Sequence, residues 1–146
     1  MATRYFALIY GIVFLLVGIA GFIPGLRTPM DMDVHLAIDG TSGRLFGLFP
    51  VNSLHNVVHL AFGVWGVIAY RTFPASRQYG RAVAIIYAVL TIMGLIPVLN
   101  TTFGLIPLYS HDIWLHALLA IVAAYFGFAG RPAAEHAGRP TITQRS

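Results

Sequence analysis

The sequence predicts an all-α membrane protein with four transmembrane helices, arranged as two tandem helical hairpins that repeat in parallel. Three observations predict this fold: a low content of charged residues, four long charge-free stretches and an internal repeat. Of the 146 residues, 58% are hydrophobic and 10% are charged, whereas about 25% are charged in a typical soluble domain. We therefore expect one domain whose main solvent is the lipid bilayer.

Each charge-free stretch is long enough to cross a bilayer, which takes about 20 apolar residues in a helix. We place the four helices near residues 5–23, 53–70, 81–97 and 112–129. The first stretch follows Arg4, as in a signal peptide, but its apolar run is too long and no clear small-residue cleavage site follows it. We therefore expect it to be a retained transmembrane helix.

The distribution of arginine predicts the orientation. Seven of the nine basic residues lie at one end of the predicted helices, namely Arg4, Arg71, Arg77, Arg81, Arg131, Arg139 and Arg145. Because arginine accumulates on the cytoplasmic side, we expect both termini in the cytoplasm and the chain in the cell (inner or plasma) membrane. We expect a four-helix transmembrane domain at 1–130 and a cytoplasmic tail at 131–146, whose composition is typical of disorder.

The chain contains an internal repeat. At an offset of 57, six of fourteen ungapped positions are identical between residues 46–59 and 103–116. Upstream, residues 21–26 match 94–99 at an offset of 73, so the first outer loop carries about 16 extra residues, which we place between Thr28 and Gly43. Each repeat is a helix, an outer loop and a second helix, which predicts repeats of the same orientation in the membrane.

Repeat one covers about 4–71 and repeat two about 81–130, and they place His59 and His116 at equivalent positions. Small residues follow each histidine at i+4 and i+7, and these are Gly63, Gly66, Ala120 and Ala123. Steps of four and seven stay on one helix face, and small residues let membrane helices approach closely. We expect these faces to bring the second and fourth helices together, with the histidines facing each other or the bundle interior.

Polar residues gather at the outer ends of the same two helices. The core of this predicted cluster is His55, His59, Asp112 and His116, and its supporting residues are Asn52, Asn56 and His111. Polar and ionisable residues are costly inside a membrane span and usually face the interior of the bundle. The pattern therefore predicts one cluster in the outer half of the bundle.

Three interpretations of the cluster stay open. In the structural one, the side chains hydrogen-bond across helices, and Asp112 stabilises the start of the fourth helix with Ser110 as its cap. In the second, His55, His59, Asp112 and His116 bind a metal ion, or His59 and His116 ligate a haem or chlorin from opposite sides. Closely packed helices argue against a tetrapyrrole between them. In the third, histidines that titrate near neutrality relay protons or ions.

The stretch LFGLFPVNSLHNVVHL at 45–60 resembles a bacterial membrane protein family known as domain of unknown function 4383. The later segments FGLIP at 103–107 and DIWLH at 112–116 fit the last helix of the same family. The resemblance covers roughly residues 5–130. It implies a four-helix integral membrane protein and brings no activity, substrate or cofactor.

For function, we expect a non-enzymatic structural or accessory component of a membrane assembly, because the loops are short and no soluble catalytic domain is visible. The expected partners are the lipid bilayer and either other membrane subunits or further copies of this chain. The alternatives are a histidine-ligated metal or tetrapyrrole protein and a proton or ion relay. The absence of cysteine excludes thiolate sites, and no basic, aromatic-interleaved surface indicates nucleic-acid binding.

Overall fold

The computed structural model describes residues 1–30, 36–38 and 41–129. In that part of the chain the helices are α1 (Ala2–Ala20), α2 (Ser53–Ala69), α3 (Phe73–Leu95) and α4 (His111–Ala124), and a π-helical turn at Tyr125–Ala129 continues α4. Three of them, α1, α3 and α4 with its π turn, are long and apolar enough to cross a membrane, and α2 is an apolar helix of 17 residues. The prediction of a helical membrane protein is confirmed at this level.

The helices carry large apolar side chains on their outer surfaces. Examples with their exposed fractions are Ile9 (58%), Leu16 (62%), Val64 (51%), Ile92 (59%) and Ile121 (69%). The exposed surfaces of water-soluble proteins carry only limited apolar patches. A surface of this kind is typical of helices that cross a membrane.

The third helix begins earlier than its hydropathy predicts, at Phe73 instead of near residue 81. Thr72 caps it by accepting a hydrogen bond from the Ala75 backbone nitrogen at 3.3 Å, and Pro74 stands in the first turn. Such a cap and an early proline are helix-start signals. Arg77 and Arg81 are therefore in the first turns of α3 and not in a loop, because their charges interrupt hydropathy without interrupting the helix.

The most extensive helix contacts pair α1 with α2 and α3 with α4. In the first pair the backbones touch, since a Cβ at Gly11 would lie 2.6 Å from the Val67 nitrogen and a Cβ at Gly66 would lie 2.8 Å from the Ala7 oxygen. The small-residue face of α2 thus packs on α1. Our prediction that this face would pack against the fourth helix was wrong, because the pattern identifies a close contact without identifying its partner.

A small antiparallel sheet follows α1 and precedes α2. Its strands are β1 (Arg27–Thr28), β2 (Gly43–Leu45) and β3 (Phe49–Val51), in the order β1-β2-β3. The predicted insertion at Thr28 to Gly43 lies between the paired strands β1 and β2. The tail at 131–146 and the loop residues Asp31, Asp33, His35 and Asp39 lie outside the described residues.

The two pairs of contacting helices, α1 with α2 and α3 with α4, are called the first and second hairpin here, and they share backbone details at positions that the predicted repeat aligns. Phe46 and Gly47 have φ angles of 54° and 73°, and Phe103 and Gly104 have 59° and 85°. This is the left-handed region, which residues other than glycine rarely adopt. The same unusual turn therefore precedes the second helix of each hairpin.

The opposite end of each hairpin also carries an equivalent hydrogen bond. The Arg4 Nε donates to the Tyr70 carbonyl at 2.8 Å, and the Arg77 Nε donates to the Gly127 carbonyl at 3.2 Å. Arg77 is 73 residues after Arg4, and Gly127 is 57 residues after Tyr70, so both offsets of the repeat apply. We call this end of the bundle the arginine end, and the end with the sheet the loop end.

Candidate functional site

A small cavity lies at the loop end, between the helices and the sheet. Its volume is about 80 Å³. The polar lining consists of His55, His59, Asp112 and His116, and the apolar lining consists of Val17, Leu45, Phe46, Phe49, Val51 and Leu115. The structure thus brings the core of the predicted cluster to one cavity, although α2 and α4 are not close partners.

Three of these residues form a compact set of metal-ligating groups. One ligand atom from each of His55, Asp112 and His116 lies within 4.8 Å of the other two. All three residues are buried, with exposed fractions of 4%, 2% and 2%. His59 is 7% exposed and stacks on His55 with ring centroids 4.5 Å apart, but it does not belong to this set.

Several polar atoms in the cavity lack a hydrogen-bond partner among the described residues. They include Nδ1 of His55, Nδ1 of His116 and Oδ2 of Asp112. Buried polar atoms in folded proteins are nearly always hydrogen-bonded, so each exception indicates a missing partner such as an ion or water. Each member of the compact set thus has such an atom, and so does the neighbouring His59 at its Nδ1.

Two aromatic rings lie beneath the cavity. Phe14 of α1 and Tyr87 of α3 stack with centroids 5.5 Å apart. Phe14 also lies 5.6 Å from the ring of His59, and Tyr87 lies 4.9 Å from the ring of His116. Because Tyr87 follows Phe14 by 73 residues, the repeat places each histidine against an equivalent aromatic ring.

Asn52 holds the protein around the cavity in place. Its side-chain oxygen caps α2 by accepting from the His55 nitrogen at 2.9 Å. Its Nδ2 donates to the carbonyls of Ile38 at 2.9 Å and Leu105 at 2.7 Å. The residue is fully buried and connects the two loops of the loop end, so its role is structural.

The other two predicted supporting residues lie outside the cavity lining. Asn56 is buried and donates to the Thr41 hydroxyl at 3.3 Å. His111 is exposed and pairs its Nδ1 with the Ser110 hydroxyl at 3.1 Å. The Ser110 side chain therefore does not cap α4 as predicted, since it contacts His111 and the Arg44 guanidinium at 3.4 Å.

A family match covers most of the chain. The model of a domain of unknown function (DUF4383) matches residues 4–129. The chain belongs to the DUF4383 family. No curated protein and no solved structure matches it. The sequence resemblance to DUF4383 is thereby confirmed, and because the family carries no assigned activity, the functional argument depends on the geometry of this DUF4383 member.

Sequence reasoning missed the aromatic rings and the sheet residues around this DUF4383 site. Phe14 and Tyr87 could have been found by extending the offset of 73 back through the first and third helices. The buried side chains of Leu45 and Val51, each 1% exposed, had no such signal. Strands of three residues show no alternation long enough to recognise.

Proposed function

We propose that this protein is a four-span membrane protein that binds a divalent first-row transition metal through His55, Asp112 and His116. The single observation that carries the proposal is the coincidence of two properties in one place. The three side chains have ligand atoms within 4.8 Å of one another, and each has a buried nitrogen or oxygen without a hydrogen-bond partner in the described chain. A network built only for stability would satisfy those atoms.

Two histidines and one carboxylate suit zinc and ferrous iron. Zinc sites with three protein ligands leave a fourth position for water or substrate, and the same ligand set with open positions occurs in non-haem iron proteins. Zinc ligands lie about 2.0–2.2 Å from the ion, so ligand atoms of a tetrahedral site are roughly 3.4 Å apart. The ligand atoms of the three side chains now lie within 4.8 Å of one another. Side-chain rotations that shorten these distances by about 1 Å or a little more would bring them to tetrahedral spacing.

The cavity size favours an ion over a tetrapyrrole. Pockets for organic ligands usually have volumes of about 300–1,000 Å³, and this cavity has about 80 Å³. The ring of His59 stacks on the ring of His55 with centroids 4.5 Å apart. This leaves no space for a macrocycle between His59 and a second axial ligand. A haem or chlorin held by His59 and His116 would require the helices to separate.

Charge balance also supports a cation. His55 and Asp112 lie in the first turns of α2 and α4, whose N-termini carry partial positive charge. That field weakens cation binding, and the carboxylate of Asp112 offsets it. Among the described residues Asp112 is the single acidic side chain, and in this cavity its carboxylate would balance one of the two charges of a dication.

The finer topology is part of the same proposal. We propose that α2 also spans the bilayer, since 17 residues rise about 26 Å in a helix and α2 packs along α1. The equivalent φ angles and arginine bonds support two tandem hairpins that arose by duplication. The excess of arginine at the arginine end supports placing that end, and both termini, in the cytoplasm.

Elemental analysis of the purified full-length protein tests the metal proposal. We expect close to one equivalent of zinc or iron per chain after purification without added chelator, and we expect it to fall at least tenfold in Asp112→Asn. The matched control is Asn56→Asp, which adds a carboxylate one position away from His55 but outside the cavity lining. A wild-type protein without stoichiometric metal, which also fails to take up zinc or ferrous iron, would show that water satisfies these atoms.

Assembly with other subunits or with further copies stays a prediction. It is compatible with a metal site, because the cavity lies within one chain and uses no partner residue. Size-exclusion chromatography coupled to light scattering after mild detergent extraction would give the mass of the particle that carries the metal.

A further inference from the structure

A second pocket lies at the arginine end, far from the metal site. Its lining residues are Phe73, Pro74, Arg77, Gln78 and Arg81, and its volume is about 550 Å³. We call it the arginine pocket. Its volume falls in the range of pockets that hold organic ligands, about 300–1,000 Å³.

Two arginine side chains of this pocket converge on one oxygen atom. The Arg77 Nε and the Arg81 Nε donate to the Gly127 carbonyl at 3.2 Å and 3.0 Å. Gly127 lies in the π-helical turn and packs against α3 so closely that a Cβ would lie 2.6 Å from the Arg81 nitrogen. The fold therefore holds two positive charges side by side.

These two charges have no acidic partner among the described residues, since Asp112 lies at the loop end. A guanidinium has five N–H donors. Within the described residues these arginines donate through Nε of both and through Nη2 of Arg77, which bonds the Phe128 carbonyl at 3.4 Å. The remaining donors are available to an anion.

The first hairpin shows that the carbonyl bond needs one arginine only. There Arg4 alone bonds the equivalent carbonyl of Tyr70, and its guanidinium lies 5.0 Å from the centre of the Tyr70 ring. The position equivalent to Arg81 is Leu8, an apolar residue. Arg81 donates to the Gly127 carbonyl and lies 5.4 Å from the centre of the Phe128 ring, as Arg4 does with Tyr70. The second hairpin therefore places two guanidinium groups at this carbonyl, and the first hairpin places one.

We propose that the arginine pocket binds the phosphate group of an anionic lipid in the leaflet at this end of the bundle. Guanidinium groups bind phosphate oxygens in pairs of parallel hydrogen bonds, and basic pockets on the cytoplasmic side of membrane proteins bind anionic lipid headgroups. Phe73 and Pro74 provide an apolar wall beside the two charges, which suits the junction between a headgroup and its acyl chains. The proposal is independent of the metal site.

Native mass spectrometry of the full chain in detergent tests the proposal with two lipids. We expect phosphatidylglycerol to form one adduct that survives activation energies at which phosphatidylcholine adducts dissociate. Arg81→Gln should weaken phosphatidylglycerol binding about tenfold or more, and Arg81→Lys should keep part of it because the charge remains. Arg71→Gln is the matched control, because it removes the same charge at an exposed position outside the pocket lining.

Further controls distinguish a lipid phosphate from free phosphate and detect misfolded variants. Inorganic phosphate at millimolar concentration should not displace the lipid, and displacement would overturn the lipid as the source. Equal losses in Arg81→Gln and Arg71→Gln, or equal binding of both lipids, would overturn the site itself. Each variant is compared by circular dichroism and by its thermal unfolding midpoint in detergent, which should be nearly unchanged, so a loss of lipid binding with both intact supports the pocket.

Discussion

The two hairpins are built alike where they are held together and differ where they carry polar chemistry. Gly21 lies against Asn56 and Gly94 lies against Ile113, so the same pair of positions makes a close contact in each hairpin. By contrast, His55 of the first hairpin corresponds to Asp112 of the second. The comparison teaches that this one close contact occurs in both hairpins, whereas the unequal pair at the cavity supplies an imidazole from one and a carboxyl group from the other.

The strongest way to break the shared scaffold is to enlarge Gly11. In Gly11→Leu the new side chain meets the α2 backbone, which cannot yield as a side chain can. Overpacking typically costs about 1–3 kcal/mol, and we expect at least the upper end here. Thermal unfolding in detergent, followed by intrinsic fluorescence, measures the loss. Ile12→Leu, on an exposed position of the same helix, should change the midpoint little; an equal loss in both variants would contradict the backbone contact.

The metal proposal is sharpened by comparing histidines within α2. Replacing His55 with alanine removes a proposed ligand and should reduce zinc affinity at least about 100-fold. Replacing His59, which stacks on His55 without joining the compact set, should reduce it by about tenfold or less. Competition with a chromophoric chelator gives both dissociation constants. If His59→Ala has the larger effect, the ligand set we propose is wrong.

Acidic pH should release the ion, because a histidine ligand must be neutral to bind metal. We expect zinc affinity to fall once the pH is low enough to protonate the imidazoles of the empty site. The sign follows from competition, since each proton bound by a free imidazole opposes metal binding. The same chelator competition, taken down in pH as far as the protein stays folded, measures it. An affinity that stays constant over that whole range would indicate that the histidines are not ligands.

A smaller effect tests whether the arginine bonds of the two hairpins are equivalent. Arg4→Gln removes the charged donor of the Tyr70 carbonyl, worth about 1.5–3 kcal/mol, and also the contact with the Tyr70 ring, which adds about 0.5–1 kcal/mol. Arg77→Gln leaves Arg81 bonded to the Gly127 carbonyl, so it should cost less. Chemical denaturation in mixed micelles compares them. An equal or larger loss in Arg77→Gln would contradict the sharing of the Gly127 carbonyl by two arginines.

The smallest expected effect comes from making the hairpins more alike. Asn56→Leu gives α2 an aliphatic residue where α4 has Ile113, with the same number of side-chain heavy atoms as asparagine. It removes one 3.3 Å hydrogen bond to Thr41 and also an amide oxygen without a partner, so we expect a change within about 1 kcal/mol. Hydrogen–deuterium exchange of α2 would detect either sign. A loss above about 2 kcal/mol would show that Asn56 makes a further hydrogen bond besides the one to Thr41.

The sequence was informative where a pattern runs over many residues. Charge-free stretches located the four helices, and the repeat aligned His59 with His116 before any contact was known. The hydropathy pattern placed the start of the third helix too late, because the charges of Arg77 and Arg81 suggested a loop. Thr72 and Pro74 already indicated a helix start. Hydropathy registers solvent preference and not backbone conformation.

The membership of the metal-ligating set could not be read from the sequence. His55 and His59 are one turn apart on the same helix face, so spacing alone makes them equal candidates. Only the packing of His59 between His55 and Phe14 separates them. The sheet over the cavity was equally hidden, because its strands have two or three residues.

The two hydrogen bonds that the Asn52 amide donates bear on how fast an ion could leave the cavity, and not on how tightly it binds. Its amide joins the carbonyls of Ile38 and Leu105, and the Ala37 nitrogen donates to the Gly104 carbonyl at 2.8 Å. The two loops of the loop end are therefore tied to each other and to the start of α2, the helix that carries His55. For a metal held by His55, the rate of release would then depend on how often these bonds break, and so on a side chain that does not touch the ion.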